Sequence, residues 1–347
     1  MHLRSPTFAF EIPSVHDGVR LGCRLYLPKK ILQSGSVSGW TKRGAIVSHP
    51  YAPLGGCYDD PVVNFVGAEL LRAGYVVGTF NFRGADGSEG RTSWTAKPEL
   101  ADYASFYGFM LLYLHALKTE TTREQEPEKD GLESSQEFNP GRSENPSTGV
   151  HIILGGYSYG SLIASHLPAI DTVVDLFKGA SIDTAPFKIR RIAEKLASCM
   201  GERQHLQTEA ATANLSSSMK EDQMEIVSKS TVSYLLMSPL LPPLSQLLTI
   251  FTKLSLDVQV EVSAQGKHIP CPKPATQLRK HRTLVIYGTE DGFTSAKKLR
   301  KWSDELLHAP QSQFQYQQVE GAGHFWRENG VEEQARHALR EWLNGMT

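Results

Sequence analysis

Apolar positions fall into two rhythms along this chain. Short unbroken runs, among them Gly44–Ser48, Val76–Phe80, Ile152–Leu154, Val232–Met237 and Thr283–Tyr287, lack polar alternation. Such runs fit strands buried on both faces. Between them lie segments with helical period: Asp60–Ala73, with Pro61 near its start and Gly74 just past its end, then Glu99–Leu117, Lys297–Leu307 and Val331–Leu343. Phe8–Val15 and Val19–Leu27 read as strands joined by the turn pair Asp17-Gly18, and Gln313–Val319 reads as another strand. Strands alternating with helices predict an α/β fold with a mainly parallel central sheet and helices on both faces.

Two stretches break the pattern. Residues 119–149 hold eight acids, three bases and three prolines with almost no large apolar residue. Such a segment cannot bury enough surface to offset its ordering entropy, so it is expected to be a disordered surface insertion. Residues 171–230 are long for a connection within a domain and are expected to form a cap or lid. Residues 239–281 could contribute to that cap. The core is then 1–170 with 231–347. The apolar window 232–251 is broken by Pro239, Pro242 and Pro243, which favours a strand and an apolar cap segment over a membrane span. Residues 255–281, with Pro270, Pro272 and Pro274, read as irregular, and no internal repeat is visible.

Composition narrows the function classes. The chain of 347 residues is 40% hydrophobic and 21% charged, ordinary for a globular protein. A formal charge of −1 and the lack of a basic cluster give no case for nucleic acid. Cys23, Cys57, Cys199 and Cys271 are scattered, which argues against a disulfide framework or zinc site and suits a reducing compartment. With no evident signal peptide, a cytoplasmic location is expected. His151, His166, His308 and His337 have no ligand-like spacing, so neither a metal nor another cofactor is expected. The expected partner is a small-molecule substrate, and homo-oligomerisation stays open.

The chemistry centres on Val150–Ser161, VHIILGGYSYGS. A buried strand, then Gly156-Tyr157-Ser158-Tyr159-Gly160, then a helix is the context of a nucleophile elbow, in which a tight turn holds a serine hydroxyl at the carboxyl end of the sheet. That architecture demands an acid and then a histidine at later strand ends. Asp291 lies in GTEDGF after the Thr283–Tyr287 strand, and His324 lies in GAGHFW after the next. His324 would accept the Ser158 proton and Asp291 would orient the imidazole. The Tyr159 N–H is one expected oxyanion donor. The second is expected from the loop after His49-Pro50, at Tyr51 or, in reserve, Ala52. Tyr157, beside the nucleophile, is expected to contact substrate. Glu290, Asp183 and Asp257 are weaker candidates for the acid. His49 is expected to shape its loop, Cys57 to fill space, and Arg83 to pair with Glu89 across a turn.

These residues carry a resemblance. HPYAPLGG, FNFRGADGSEG, LGGYSYGS, GTEDGF and GAGHFW resemble the α/β-hydrolase superfamily, and more narrowly its small soluble hydrolase group. Members of that group typically carry an HPHP…GG loop, an NFRGxGxSEG turn and a GYSFG-type elbow. The resemblance spans nearly all of the predicted sheet and implies the same roles for Ser158, Asp291 and His324. Tyr51-Ala52 replaces the second His of the loop motif, and Asp86 replaces a glycine of the turn. The leading expectation is a serine hydrolase, an esterase or thioesterase acting on a moderately hydrophobic small molecule. Two alternatives are a cyclase, condensing or carbon–carbon cleaving enzyme of specialised metabolism, and a non-catalytic ligand-binding homologue.

Overall fold

The computed structural model describes residues 2–33, 40–117, 149–178, 180–205, 230–250, 253–258 and 267–346. The first two strands, β1 (Phe8–Pro13) and β2 (Arg20–Tyr26), form the expected antiparallel hairpin around Asp17-Gly18. The parallel strands follow as β3 (Arg43–Ser48), β4 (Val76–Phe80), β5 (His151–Tyr157) and β6 (Thr231–Met237). After a separate antiparallel pair, β7 (Ser255–Val258) and β8 (Lys267–Pro270), come β9 (Arg282–Glu290) and β10 (Phe314–Gly323). The eight-stranded sheet has the order β1-β2-β4-β3-β5-β6-β9-β10, parallel from β4 to β10.

Among the described residues the helices are α1 (Lys29–Gln33), α2 (Pro61–Arg72), α3 (Lys97–Ala116), α4 (Tyr159–Ser165), α5 (Ile170–Phe177), α6 (Ala185–His205), α7 (Leu244–Leu248), α8 (Pro274–Lys280), α9 (Ala296–Leu307) and α10 (Val331–Asn344). Alternate side chains of the inner strands feed two cores. Ala45, Val47, Ile153, Leu235 and Ile286 pack with α2 and α10. Ile46, Ile152, Leu154, Leu236 and Val285 pack with residues of α3, α4, α8 and α9. Helix α2 starts as its sequence dictates: the Asp60 carboxylate accepts the Val62 N–H at 2.8 Å, and Pro61 occupies the first turn.

Helix α3 is buried on every side from Glu99 to Leu114. An all-round apolar helix needs cover on both flanks. The sheet supplies one, and α5 and α6 supply the other, with α6 also meeting β1. Those two helices are the main described part of the segment read as a cap; residues 206–229 lie outside the described residues, as does the 119–149 insertion apart from Gly149.

Three sequence expectations need revision. The stretch 255–281 contains the β7–β8 pair and α8; Pro270 closes a strand and Pro274 opens a helix, positions where a missing N–H costs nothing. Strands β9 and β10 run three and four residues past the expected Tyr287 and Val319. The Arg83–Glu89 ion pair is not formed. Arg83 instead grips Asp102 through Nε at 2.9 Å and Nη2 at 2.7 Å, and reaches Asp17 through Nη1 at 2.8 Å. Glu89 takes Arg20 Nε at 2.8 Å.

The Arg83 and Asp102 side chains are 6% and 0% exposed, so losing Asp102 leaves a buried guanidinium with the partly exposed Asp17 as its remaining carboxylate. Asp102→Ala is expected to lower unfolding free energy by about 3–5 kcal/mol, read from urea denaturation of wild type and variant.

Candidate active site

The carboxyl end of β5 turns directly into α4, and Ser158 is the turn. Its backbone sits at φ 55°, ψ −113°, a strained region for a side-chain-bearing residue. Contacts on both sides hold it there. The Ser158 N–H donates to the Met237 carbonyl at 2.9 Å, and its own carbonyl accepts the Leu162 N–H at 3.1 Å and the Ser161 hydroxyl at 2.7 Å. The two flanking glycines are steric requirements. A Cβ on Gly156 would lie 2.3 Å from the Gly160 carbonyl carbon, and one on Gly160 would lie 2.6 Å from the Ser48 carbonyl oxygen. Ser158 also occupies the N-cap of α4 without using its side chain to cap the helix, which leaves the hydroxyl available elsewhere.

That hydroxyl meets His324. Ser158 Oγ lies 2.9 Å from His324 Nε2, and His324 Nδ1 lies 2.7 Å from Asp291 Oδ2. An ionised carboxylate only accepts, so Nδ1–H donates to Asp291 and Nε2 is left to accept the serine proton. The other carboxylate oxygen, Oδ1, accepts the N–H groups of Phe293 at 2.8 Å and Thr294 at 3.0 Å. Burial works to raise the Asp291 pKa, but the hydrogen bond and charge of His324, with the two backbone donors, outweigh it and hold the carboxyl below its ordinary value. All three residues are 5–6% exposed. Asp291 follows β9 and His324 follows β10, strands that pair in parallel.

The remaining sequence candidates fall as follows. Glu290 is exposed at the end of β9, and Asp183 is exposed in the loop before α6. Asp257 binds the His268 ring at 2.6 Å and Lys97 at 3.4 Å. None of these three meets His324. Tyr159 heads α4, where the first N–H groups have no intrahelical acceptor. Tyr51 and Ala52 stand at the start of a 3₁₀ turn, Ala52–Leu54, and the Tyr51 ring packs edge-on against Tyr159 at 5.1 Å.

His49 is fully buried, its Nε2 accepting the Phe82 N–H at 2.9 Å and its Nδ1 lying 2.6 Å from the Pro50 carbonyl. Burial, against a smaller opposing effect of that carbonyl, lowers its pKa to about 4 and keeps it neutral. It therefore ties the Tyr51 loop to the strand end at Phe82. The expected substrate contact at Tyr157 meets a side chain only 2% exposed, whose hydroxyl donates to the His324 carbonyl at 2.7 Å.

Two supports carried no readable sequence signal. Trp326 Nε1 donates to Ser238 Oγ at 3.0 Å, joining the histidine loop to the end of β6. Phe293 lays its ring 4.2 Å from that of His324, with Phe325 a further 5.6 Å edge contact. Phe293 and Phe325 are 40% and 53% exposed, so the histidine lies beside an open aromatic rim.

The sheet order and the strand–Ser158–helix turn at its carboxyl edge define an α/β-hydrolase fold. No protein-family model matches the chain, and no curated protein sequence does. Among solved structures it is similar to an α/β serine hydrolase homologue from Coxiella burnetii, at 14% identity and TM-score 0.49, over 98% of each chain. It is also similar to an α/β serine hydrolase without a lid from Xanthomonas campestris, at 15% identity and TM-score 0.47, over 99% of this chain and 96% of that one. An esterase from Pyrococcus furiosus aligns at 13% identity and TM-score 0.46, over 97% and 89%. No described helix is long and apolar enough to cross a membrane.

The lowered Asp291 pKa has a sign that can be checked. Its contribution to stability is fully present above the unfolded value, about 3.9, and is lost as pH falls through the lower folded value. The stability gap between wild type and Asp291→Asn is therefore expected to be constant near neutrality and to shrink below about pH 4. Urea titrations across the acid range measure it.

Proposed function

We propose that the protein is a serine hydrolase that cleaves an ester or thioester of a moderately hydrophobic small molecule through an acyl-enzyme on Ser158. The observation that carries this reading is the continuous chain Asp291–His324–Ser158, at 2.7 and 2.9 Å, built on a strained turn at the carboxyl edge of the sheet. In the proposed cycle, His324 Nε2 takes the hydroxyl proton as Ser158 Oγ attacks the acyl carbon, and the imidazolium is stabilised by Asp291. The tetrahedral oxyanion is received by the N–H of Tyr159 and that of Tyr51 or Ala52. Collapse returns the proton to the departing alkoxide or thiolate. Water then enters, gives a proton to His324, attacks the acyl group and releases the acid with Ser158 restored. The exposed rings of Phe293 and Phe325 beside His324 support an apolar group on the substrate.

The test is labelling with a fluorophosphonate followed by intact-mass measurement. One adduct on wild type and none on Ser158→Ala is expected. On a chromogenic acyl-ester series, Ser158→Ala is expected to lower kcat by on the order of 10⁶-fold and Asp291→Asn by about 10⁴-fold. Unchanged turnover in Ser158→Ala would sink the mechanism. Turnover of another substrate without a covalent acyl-serine would move the site to cyclase or lyase chemistry. A well-folded wild type that takes no probe and turns over nothing would favour a ligand-binding homologue.

A further inference from the structure

At the opposite end of the strands from Ser158 lies a cavity of about 320 Å³ lined by Arg43, Arg282, His151, Tyr75, Thr231 and Ser233. Register shows how it arises. Arg43 pairs with His151, His151 with Thr231, and Ser233 with Arg282. Residues in register across parallel strands, and residues two apart on one strand, share a face. These five therefore project together, beneath the column of Ala45, Ile153, Leu235 and Leu284 that packs against α2 and α10. Where that apolar column ends, four adjacent strands each begin it with a cationic or hydrogen-bonding residue.

The polar set is short of acceptors. Among the described residues, neither guanidinium meets a carboxylate at ion-pair distance, and the buried Nε of Arg43 has no hydrogen-bond partner. The guanidinium of Arg43 lies 5.4 Å from the Tyr75 ring centre. That of Arg282 reaches so near the end of α10 that a Cβ on Gly345 would stand 2.7 Å from it. The two arginine Cα atoms stand three inter-strand spacings apart, about 14 Å, a gap that two extended side chains close around a small guest. Between them His151 bonds the Ser233 hydroxyl at 3.0 Å and the Tyr75 hydroxyl at 3.3 Å. Burial first, then the charges of Arg43 and Arg282, lowers its pKa to about 4, so the ring adds no charge at neutral pH.

The geometry points to a binding site for a small oxyanion of phosphate type, held by Arg43 and Arg282 with the Thr231 hydroxyl as a further donor. Two guanidinium forks that face one dent without a carboxylate partner among the described residues repel each other until an anion bridges them, and a tetrahedral oxyanion offers acceptors to both. A carboxylate, with two oxygens, serves one fork well and the other poorly. The site is separated from Ser158 by the length of β5, about 20 Å, and is independent of the hydrolytic reading.

The test uses the whole wild-type protein and inorganic phosphate, with chloride at matched ionic strength. Phosphate is expected to shift the His151 ring resonances saturably and to raise the pKa of that imidazole by at least about one unit, since a bound anion favours its charged form. Arg43→Gln with Arg282→Gln is expected to weaken phosphate binding at least tenfold and to leave fluorophosphonate labelling of Ser158 unchanged. No saturable shift at His151 in wild type up to high millimolar phosphate would overturn the site. Acetate binding as tightly as phosphate would overturn the assignment to a tetrahedral oxyanion.

Discussion

The close approach of two backbones is the constraint from which this site is built. The turn after β5 passes against the end of β3 with no room for a side chain at Gly156 or Gly160. The parallel register that sets Ser48 beside Gly156 therefore also sets Ser158 beside the His49–Ala52 loop. Neither backbone can shift without colliding with the other. The strained serine, roughly 1–3 kcal/mol above a relaxed residue, is sustained by the Met237 carbonyl on one side and the first turn of α4 on the other. Its hydroxyl, unspent on capping, is committed to His324 Nε2 at 2.9 Å.

Around that corner the side chains that hold His324 and the His49 loop each face a defined partner. Asp291 commits both oxygens, one to the imidazole and one to the loop that carries Phe293 and Thr294. Tyr157 and Trp326 secure the histidine loop from two directions. His49 is neutral and engaged at both nitrogens. Preorganised dipoles of this kind need little reorganisation as charge develops, which is what electrostatic stabilisation of an oxyanion demands. These groups thus sit at strand ends, with the aromatic rim left open.

Much of this was legible in the amino-acid sequence because it is local. Buried strands announce themselves as unbroken apolar runs, and Ser158 is flanked by the glycines its turn requires. Asp291 and His324 stand at strand ends in the demanded order. What escaped is non-local or disguised. The polar and glycine-rich ends of β9 and β10 look like turns, yet the ladder continues through them. Arg83 lies six residues from Glu89, but its partners are 66 and 19 residues away and only the folded chain brings them near. Tyr157 stands beside the serine in sequence, but its hydroxyl partner is a backbone carbonyl 167 residues on. The β7–β8 pair was hidden by prolines that bound it.

The sheet order has a consequence for how long the site lasts. Ser158 belongs to a strand with neighbours on both sides, whereas His324 follows β10, the outermost strand on its side. Outer elements open locally at less cost than a domain's centre. Ser158 and His324 thus belong to regions of unequal endurance. The persistence of the Ser158–His324 contact is tied to the opening of one peripheral strand, and the molecule can lose that contact while most of its sheet still stands.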